Sequence, residues 1–323
     1  MNFTDRIRVA VVGLGTRGQF HLETLLLRED CEVVLAVDPQ PAPRDRWRGR
    51  VPRLEASLEP QSLQSAAVQA VWLATPDAAL PQAIDRAVRH RCAIVVEPWL
   101  DDVDGAVERS LQAGIAAGCP VVVHLPHRAV PEFREALQVL ESGRLGTLRS
   151  LSRSIWQLSP PRAGGDVRTA LARHLIPWLD QAQTLAGTDG RLIWSRREGG
   201  LAQPEPATRA DLTRPGGVEI LLDFGPETVA WLDLQWQTPA AWDSGWRLRG
   251  TQGVWQPTGG TVASPAGELL EFRADEVGPN PGGGYEAIFR HMRGLGPNPG
   301  EWSDAASLSH LVRQILNPPL PPH

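Results

Sequence analysis

From residue 7 to residue 123, short apolar runs rich in β-branched residues alternate with stretches whose apolar positions recur three and four apart. The runs 7–12, 32–37, 70–74, 93–96 and 121–123 predict strands of a sheet covered on both faces, where an unbroken Val/Ile run is tolerated. Between several of them, the spacing predicts helices over 16–29, 80–90 and 103–117. Strand and helix in alternation predict a doubly wound parallel sheet, an α/β Rossmann domain over residues 1–124.

After Arg128 the texture changes. A helix is predicted over 131–143 and another over 167–185, with Gly164-Gly165 between them. Strands then follow one another over 191–197, 217–224, 227–237, 245–250 and 268–273, and helical patterns over 285–294 and 304–316 lead to a Pro-rich tail. Consecutive strands predict a large, mainly antiparallel open sheet in a C-terminal α/β domain, residues 125–323. Within 227–237, Val229, Trp231 and Asp233 share one face, and Ala230, Leu232, Leu234 and Trp236 the other. Apolar groups on both faces predict that the sheet is covered twice, once by its own helices and once by a partner. Two stretches read as irregular: 39–53, where Arg44, Arg46, Arg48, Arg50 and Arg53 stand among prolines, and the Gly/Pro-rich loop 257–267.

Composition narrows the chemistry. All 32 basic side chains are arginine, so no lysine is present for a Schiff base, for general acid work or for gripping phosphate. A net charge of −5 argues against nucleic acid as a partner. Cys31, Cys92 and Cys119 are scattered without a C-x-x-C, which indicates neither a disulfide framework nor a metal site. The first strand is reached by Ile7, without the two regions of a secretory leader, and no apolar run approaches the ~18 residues of a membrane span. A cytoplasmic protein acting on a small molecule is the expectation.

Gly13-Leu14-Gly15-Thr16-Arg17-Gly18 follows a predicted strand and opens a predicted helix. In that context the first glycine permits a tight turn, the second lets backbone approach a pyrophosphate, and the third packs helix on strand. Free N–H groups at the helix start then face the phosphates. Asp38 closes the second strand twenty residues after Gly18, where a carboxylate bonds the adenosine ribose. NAD is the expected cofactor, and NADP stays open because the arginine run lies close enough in sequence to meet a 2′-phosphate.

With that fingerprint placed, nearly the whole chain resembles the Gfo/Idh/MocA oxidoreductases. Ala74-Thr75-Pro76 matches their A-T-P, Val95-Val96-Glu97 leads into their E-K-P, and Arg128 with Pro131 matches R-x-x-P. Ser142-Gly143 with Gly146, Gly164-Gly165 with His174, Phe289 and Asp304-Ala305 complete the order. The resemblance implies a Rossmann domain joined to an open-sheet domain whose sheet forms the interface of a homo-oligomer, with Thr75, Pro76 and Glu97 near the cofactor. It also implies hydride transfer beside a lysine, an aspartate and a histidine. The departures fall on that chemistry: Glu97 is followed by Pro98, the aspartate position before His174 is Ala170, the one after it is Pro177, and a histidine position after A-T-P is Leu80. Asp166 lies roughly 12 Å along the helix axis from His174, and Asp180 about 240° around it, so neither orients His174 locally.

The groups left for proton transfer are His174 and the cluster His124, His127 and Arg128 directly after the sixth strand, since ligands of such sheets bind beyond the carboxyl ends of strands. Trp99, Trp156 and Trp178 are candidates for an aromatic pocket. Three readings stay open: an NAD(P)-dependent oxidoreductase with a non-standard site; a degenerate nucleotide-binding paralogue serving as sensor or partner subunit; and an NAD-assisted hydrolase or lyase.

Overall fold

The apolar runs of the first domain become the strands of a fully parallel sheet in a computed structural model, which describes residues 6–99, 104–157, 167–199, 216–263, 269–272 and 284–316. In chain order the elements are β1 (Ile7–Val12), α1 (Thr16–Leu26), β2 (Cys31–Val37), α2 (Pro41–Asp45), β3 (Leu54–Glu55) and α3 (Pro60–Ser65). They continue with β4 (Ala70–Leu73), α4 (Leu80–Arg89), β5 (Ala93–Val96), α5 (Ala106–Ala116) and β6 (Val121–Val123). The strand order is β3-β2-β1-β4-β5-β6, every pair parallel. Helices on both faces explain why β4, β5 and β6 are buried at every position.

The expectation of irregular chain over 39–53 is modified by α2, a five-residue helix with proline in its first turn, where a missing N–H costs nothing. The arginines around it are engaged with neighbours. Arg44 donates to the Asp38 carbonyl, Arg46 to Gln19 (3.2 Å), Arg48 to Asp45 (2.6 Å) and Arg53 to Glu55 (2.6 Å), while Arg50 lies 4.8 Å over the Trp47 ring.

The second sheet is built from β7 (Leu148–Gln157), β8 (Arg191–Gly199), β9 (Gly216–Asp223), β10 (Val229–Trp236), β11 (Trp242–Asp243), β12 (Arg247–Gly250), β13 (Gly253–Gln256), β14 (Gly259–Ala263) and β15 (Leu269–Phe272). Its order is β15-β14-β13-β12-β7-β10-β9-β8, with β11 also on β7, and only β7 and β10 run parallel. Helices α6 (Pro131–Glu141) and α7 (Val167–Ala186) precede most of it in the chain. The expected loop over 257–267 is corrected in part: its residues 259–263 form β14, which pairs with β13 and β15, so ladder hydrogen bonds override the local Gly/Pro signal. Helix α7 runs nine residues past Pro177, although that residue removes one helical donor.

Burial along β10 alternates. Ala230, Leu232, Leu234 and Trp236 are buried, whereas Val229 and Trp231 are each 39% exposed. On the exposed side Trp194 stacks on Trp231 at 5.9 Å and Trp156 meets Trp242 edge-on at 5.2 Å.

The chain forms two compact units, residues 1–126 with 282–306, and residues 127–281 with 307–323. To the division expected at 124/125 the structure thus adds a return of the chain: α8 (Tyr285–Met292) and the start of α9 (Trp302–Leu316) belong with the parallel sheet. The i, i+3, i+4, i+7 stripe Tyr285, Ile288, Phe289 and Met292 accounts for this, because it packs in one core with Val9, Trp72 and Val95.

Candidate active site

The loop between β1 and α1 lies where the strand order reverses between β1 and β4, the point at which doubly wound sheets take ligands. Gly13 has φ +87°, and a Cβ there would stand 2.5 Å from the Ala74 carbonyl oxygen; one on Gly18 would stand 1.7 Å from the Gly13 oxygen. Gly15 is different, with nothing within 4 Å of its Cβ position. Two glycines therefore close the turn and one leaves open space in front of the helix. Gly15 caps α1 with no side chain occupying its N-terminus, and Thr16 and Arg17 are exposed on the first turn. Asp38 is buried and braces the turn: its two oxygens accept from Leu14 N–H at 2.7 Å and Gln40 N–H at 2.8 Å.

Thr75, Glu97 and His124 follow β4, β5 and β6 at their carboxyl ends. Pro76 is exposed, whereas the Thr75 hydroxyl is buried and has no partner among the described residues. Glu97 is the centre of a polar cluster. One of its oxygens accepts both from His21 Nε2 at 2.9 Å and from His124 Nδ1 at 2.8 Å. The other lies 3.6 Å from Arg17 Nε. His21 Nδ1 is 2.5 Å from the hydroxyl of Tyr285, the chain's one tyrosine, and that ring packs 5.1 Å from the His124 ring and stacks on Trp72 at 6.4 Å. All four members of the chain Tyr285, His21, Glu97 and His124 belong to the first unit.

Electrostatics order the hydrogens in this chain. Burial alone would raise the Glu97 pKa, but hydrogen bonds from His124 and His21 outweigh it and hold the carboxyl well below its usual range. A carboxylate only accepts, so both facing imidazole nitrogens carry hydrogen. Burial lowers the His21 pKa, against the pull of Glu97, which keeps that ring neutral with its lone pair on Nδ1. Tyr285 then donates its O–H to that nitrogen, and burial followed by the Glu97 charge pushes the phenol pKa up. On His124 the nitrogen facing the carboxylate is Nδ1, which leaves Nε2 as the other nitrogen of the ring. That atom is buried and has no partner among the described residues.

His127 and Arg128 lie in the second unit and share a different carboxylate. Asp180 accepts from His127 Nε2 at 2.6 Å and from Arg128 Nε and Nη2 at 2.8 and 2.6 Å, and Gln181 donates to the His127 carbonyl at 2.8 Å. Hydrogen bonds from Arg128 and His127 outweigh burial and lower the Asp180 pKa. His174 sits half-buried in α7. The sequence-predicted groups thus divide: Gly13, Gly15, Thr16, Arg17, Gly18, Asp38, Thr75, Pro76, Glu97 and His124 belong to the first unit, and His127, Arg128 and His174 to the second. Gly164, Gly165 and Asp166 lie outside the described residues. Trp99 and Trp178 are core residues, and Trp156 stands on the open sheet face.

Ligand atoms of His21, Glu97 and His124 all lie within 4.8 Å of one another, close enough to surround a cation. In this arrangement both imidazole hydrogens already point at the carboxylate, so a cation would have to displace two hydrogen bonds. The cysteines offer no nucleophile: all three are buried and free, and burial drives the Cys31 and Cys92 thiols up to about 12.

His21, Tyr285 and Asp180's part in holding His127 and Arg128 escaped the sequence reading. His21 left a signal, since it falls among the inward positions Gly18, Leu22 and Leu25 of α1, where a polar residue needs a partner. Tyr285 left none, because it stands 264 residues from His21.

No family model matches the chain, and no curated protein matches it. Solved structures do. An oxidoreductase from Bacillus cereus superposes with a TM-score of 0.79 at 14% identity, covering 98% of this chain and 97% of that one. One from Agrobacterium radiobacter, in complex with NAD+, L-tartaric acid and magnesium, gives 0.72 at 16% identity over 95% and 94%. A 3-ketoreductase from Actinomadura kijaniata, in complex with NADP and TDP-benzene, gives 0.70 at 19% over 96% and 97%. From end to end, the chain has the fold of these oxidoreductases.

Proposed function

We propose that this chain is an NAD(P)-dependent oxidoreductase of the Gfo/Idh/MocA type that moves hydride to or from a small molecule, with an active site that works without lysine. The observation that carries the reading is the glycine turn, where Gly13 and Gly18 have no room for a side chain and Gly15 opens onto empty space at a helix N-terminus. Those residues fit a dinucleotide. The Gly15 backbone and the first turn of α1 would hold the pyrophosphate, and each Asp38 oxygen has a second lone pair for a ribose hydroxyl. The unpartnered Thr75 hydroxyl at the end of β4 would meet the nicotinamide half. When bound, the cofactor supplies a two-electron hydride acceptor or donor. The NAD+ and NADP complexes of the two structural neighbours support the same class of cofactor.

Gly15→Asp tests the reading. Its Cβ meets nothing within 4 Å and its backbone is extended at φ −66°, so the fold should survive, and an aspartate N-cap adds a few tenths of a kcal/mol at most. A carboxylate facing the phosphates should weaken NADH and NADPH binding at least tenfold, read by nicotinamide fluorescence. Wild-type protein that binds neither nucleotide would sink the proposal. The second reading, a nucleotide-binding sensor or partner subunit without turnover, is favoured by the absence of lysine together with Ala170, Pro177 and Leu80. It predicts binding with no turnover on any carbonyl, imine or polyol.

A second copy of this chain is the proposed occupant of the open sheet face. Trp156, Trp194, Trp231 and Trp242 stand there 39–48% exposed, an apolar surface unusual for a monomer. Sedimentation equilibrium reads this directly, and a monomer at micromolar concentration would remove it.

A further inference from the structure

Lysine is missing from the whole chain, yet the carboxyl ends of β5 and β6 hold a half-buried carboxylate and a buried imidazole, joined by a second buried imidazole from α1, that the glycine turn does not need. A buried polar atom left without a partner is rare in folded proteins. Among the described residues His124 Nε2 is one such atom, alongside the Thr75 hydroxyl and the indole nitrogens of Trp47 and Trp72, and it is the one on a histidine; its counterpart on the same ring, Nδ1, is held at 2.8 Å by a carboxylate that is itself held from the far side. A carboxylate on Nδ1–H is the arrangement that sets an imidazole's tautomer and stabilises the imidazolium once Nε2 takes a proton.

We propose that His124 is the proton-transferring group of this site, presented by Glu97 as the tautomer with hydrogen on Nδ1 and a lone pair on Nε2, and that His21 and Tyr285 position Glu97. The inference rests on the oxidoreductase reading above. In the oxidising direction, a bound nicotinamide would supply the acceptor for the electron pair of the substrate's C–H bond, taken as hydride. The hydroxyl O–H bond breaks with its proton passing to His124 Nε2, and a C=O bond forms. His124 becomes an imidazolium whose Nδ1–H stays on Glu97; the reverse step returns the proton to the reduced oxygen. His21 and Tyr285 do not touch the reacting atoms. Tyr285 satisfies Nδ1 of His21, which obliges His21 to give its hydrogen on Nε2 to Glu97, so the carboxylate oxygen is gripped from two directions. Among the described residues Arg17 is the arginine paired with Glu97, 3.6 Å from the other oxygen, and its side chain is 48% exposed.

This arrangement predicts that two histidines in one domain carry opposite tautomers. The test uses the full chain labelled with 15N-histidine, long-range imidazole 1H–15N spectra at neutral pH, and His124→Gln and His21→Gln to assign the signals. The expected result is His21 with hydrogen on Nε2 and His124 with hydrogen on Nδ1 and an unprotonated Nε2. Adding NADH should shift the His124 Nε2 resonance, and Glu97→Gln, whose amide can either donate or accept, should convert His124 to a mixture of tautomers. A His124 carrying hydrogen on Nε2, or one whose Nε2 resonance stays put while NADH binds, would overturn the inference. So would Zn2+ erasing both imidazole N–H signals at stoichiometric concentration, which would make the cluster a metal site instead. If NADH does not bind at all, the oxidoreductase reading falls, whereas the tautomer of His124 still decides the inference about the imidazole.

Discussion

Two carboxylates in this protein each hold a histidine, and they do so to different ends. Asp180 accepts three hydrogen bonds, two of them from the permanent cation Arg128, and its side chain is 2% exposed. Glu97 accepts two hydrogen bonds, both from rings that can gain or lose a proton, and its side chain is 19% exposed. A charge neutralised by a guanidinium is locked at every ordinary pH. One held by two imidazoles, with only a half-exposed guanidinium at 3.6 Å, stays more responsive, and the second nitrogen of one of those rings, His124 Nε2, is buried without a partner among the described residues. Closed, fully paired networks rigidify a fold, whereas a network with one open end is where proton chemistry can occur.

The largest expected effect tests the closed side. Asp180→Ala removes the buried carboxylate that Arg128, 24% exposed, and His127 share, and should cost about 3 kcal/mol of folding free energy. Urea denaturation measures it. A loss under about 1 kcal/mol would mean that Asp180 is no more structural than a surface pair, and the contrast with Glu97 would disappear.

Acidification separates the two in a graded way. The His21 pKa is depressed from its ordinary 6.5, so the unfolded chain binds a proton there that the folded one refuses, and stability should begin to fall as pH drops below about 6.5. Glu97 and Asp180 are depressed from 4.5 and 3.8, so their contribution is present above those values and is lost as pH falls below them. The thermal midpoint should therefore decline in two stages, shallow and then steep, and His21→Gln should abolish the shallow one. A midpoint flat from pH 7 to 5 would show that His21 is not held neutral.

The smallest effect concerns Arg17, whose side chain is 48% exposed and stands 3.6 Å from Glu97. Arg17→Met should change stability by about 0.5 kcal/mol or less, and that little should vanish in high salt. A loss comparable to that of Asp180→Ala would place a locking cation on both carboxylates and erase the distinction between them.

Much of the first unit could be read from local pattern. Val/Ile runs buried on both faces announce parallel strands, and the glycine spacing 13, 15, 18 announces the turn, because Gly13 takes a positive φ, Gly18 has no room beside the Gly13 oxygen and Gly15 leaves the helix start open. Expectations failed where the determining partner is remote. The strand at 259–263 looks like a loop until β13 and β15 supply its hydrogen bonds. Tyr285 looks like an ordinary inward residue of α8 until the chain's return brings its hydroxyl to His21.

Residue identity alone settled that no lysine does the proton work and that a nucleotide-shaped turn follows the first strand, since both depend on composition and short spacing. Which histidine is tied to which carboxylate, and through which ring nitrogen, was decided by tertiary structure. His124 and His127 are three residues apart and indistinguishable by type, yet one ends on Glu97 and the other on Asp180. A hydrogen bond depends on where the partner's oxygen lies within a few tenths of an ångström, and only packed strands and helices set that position.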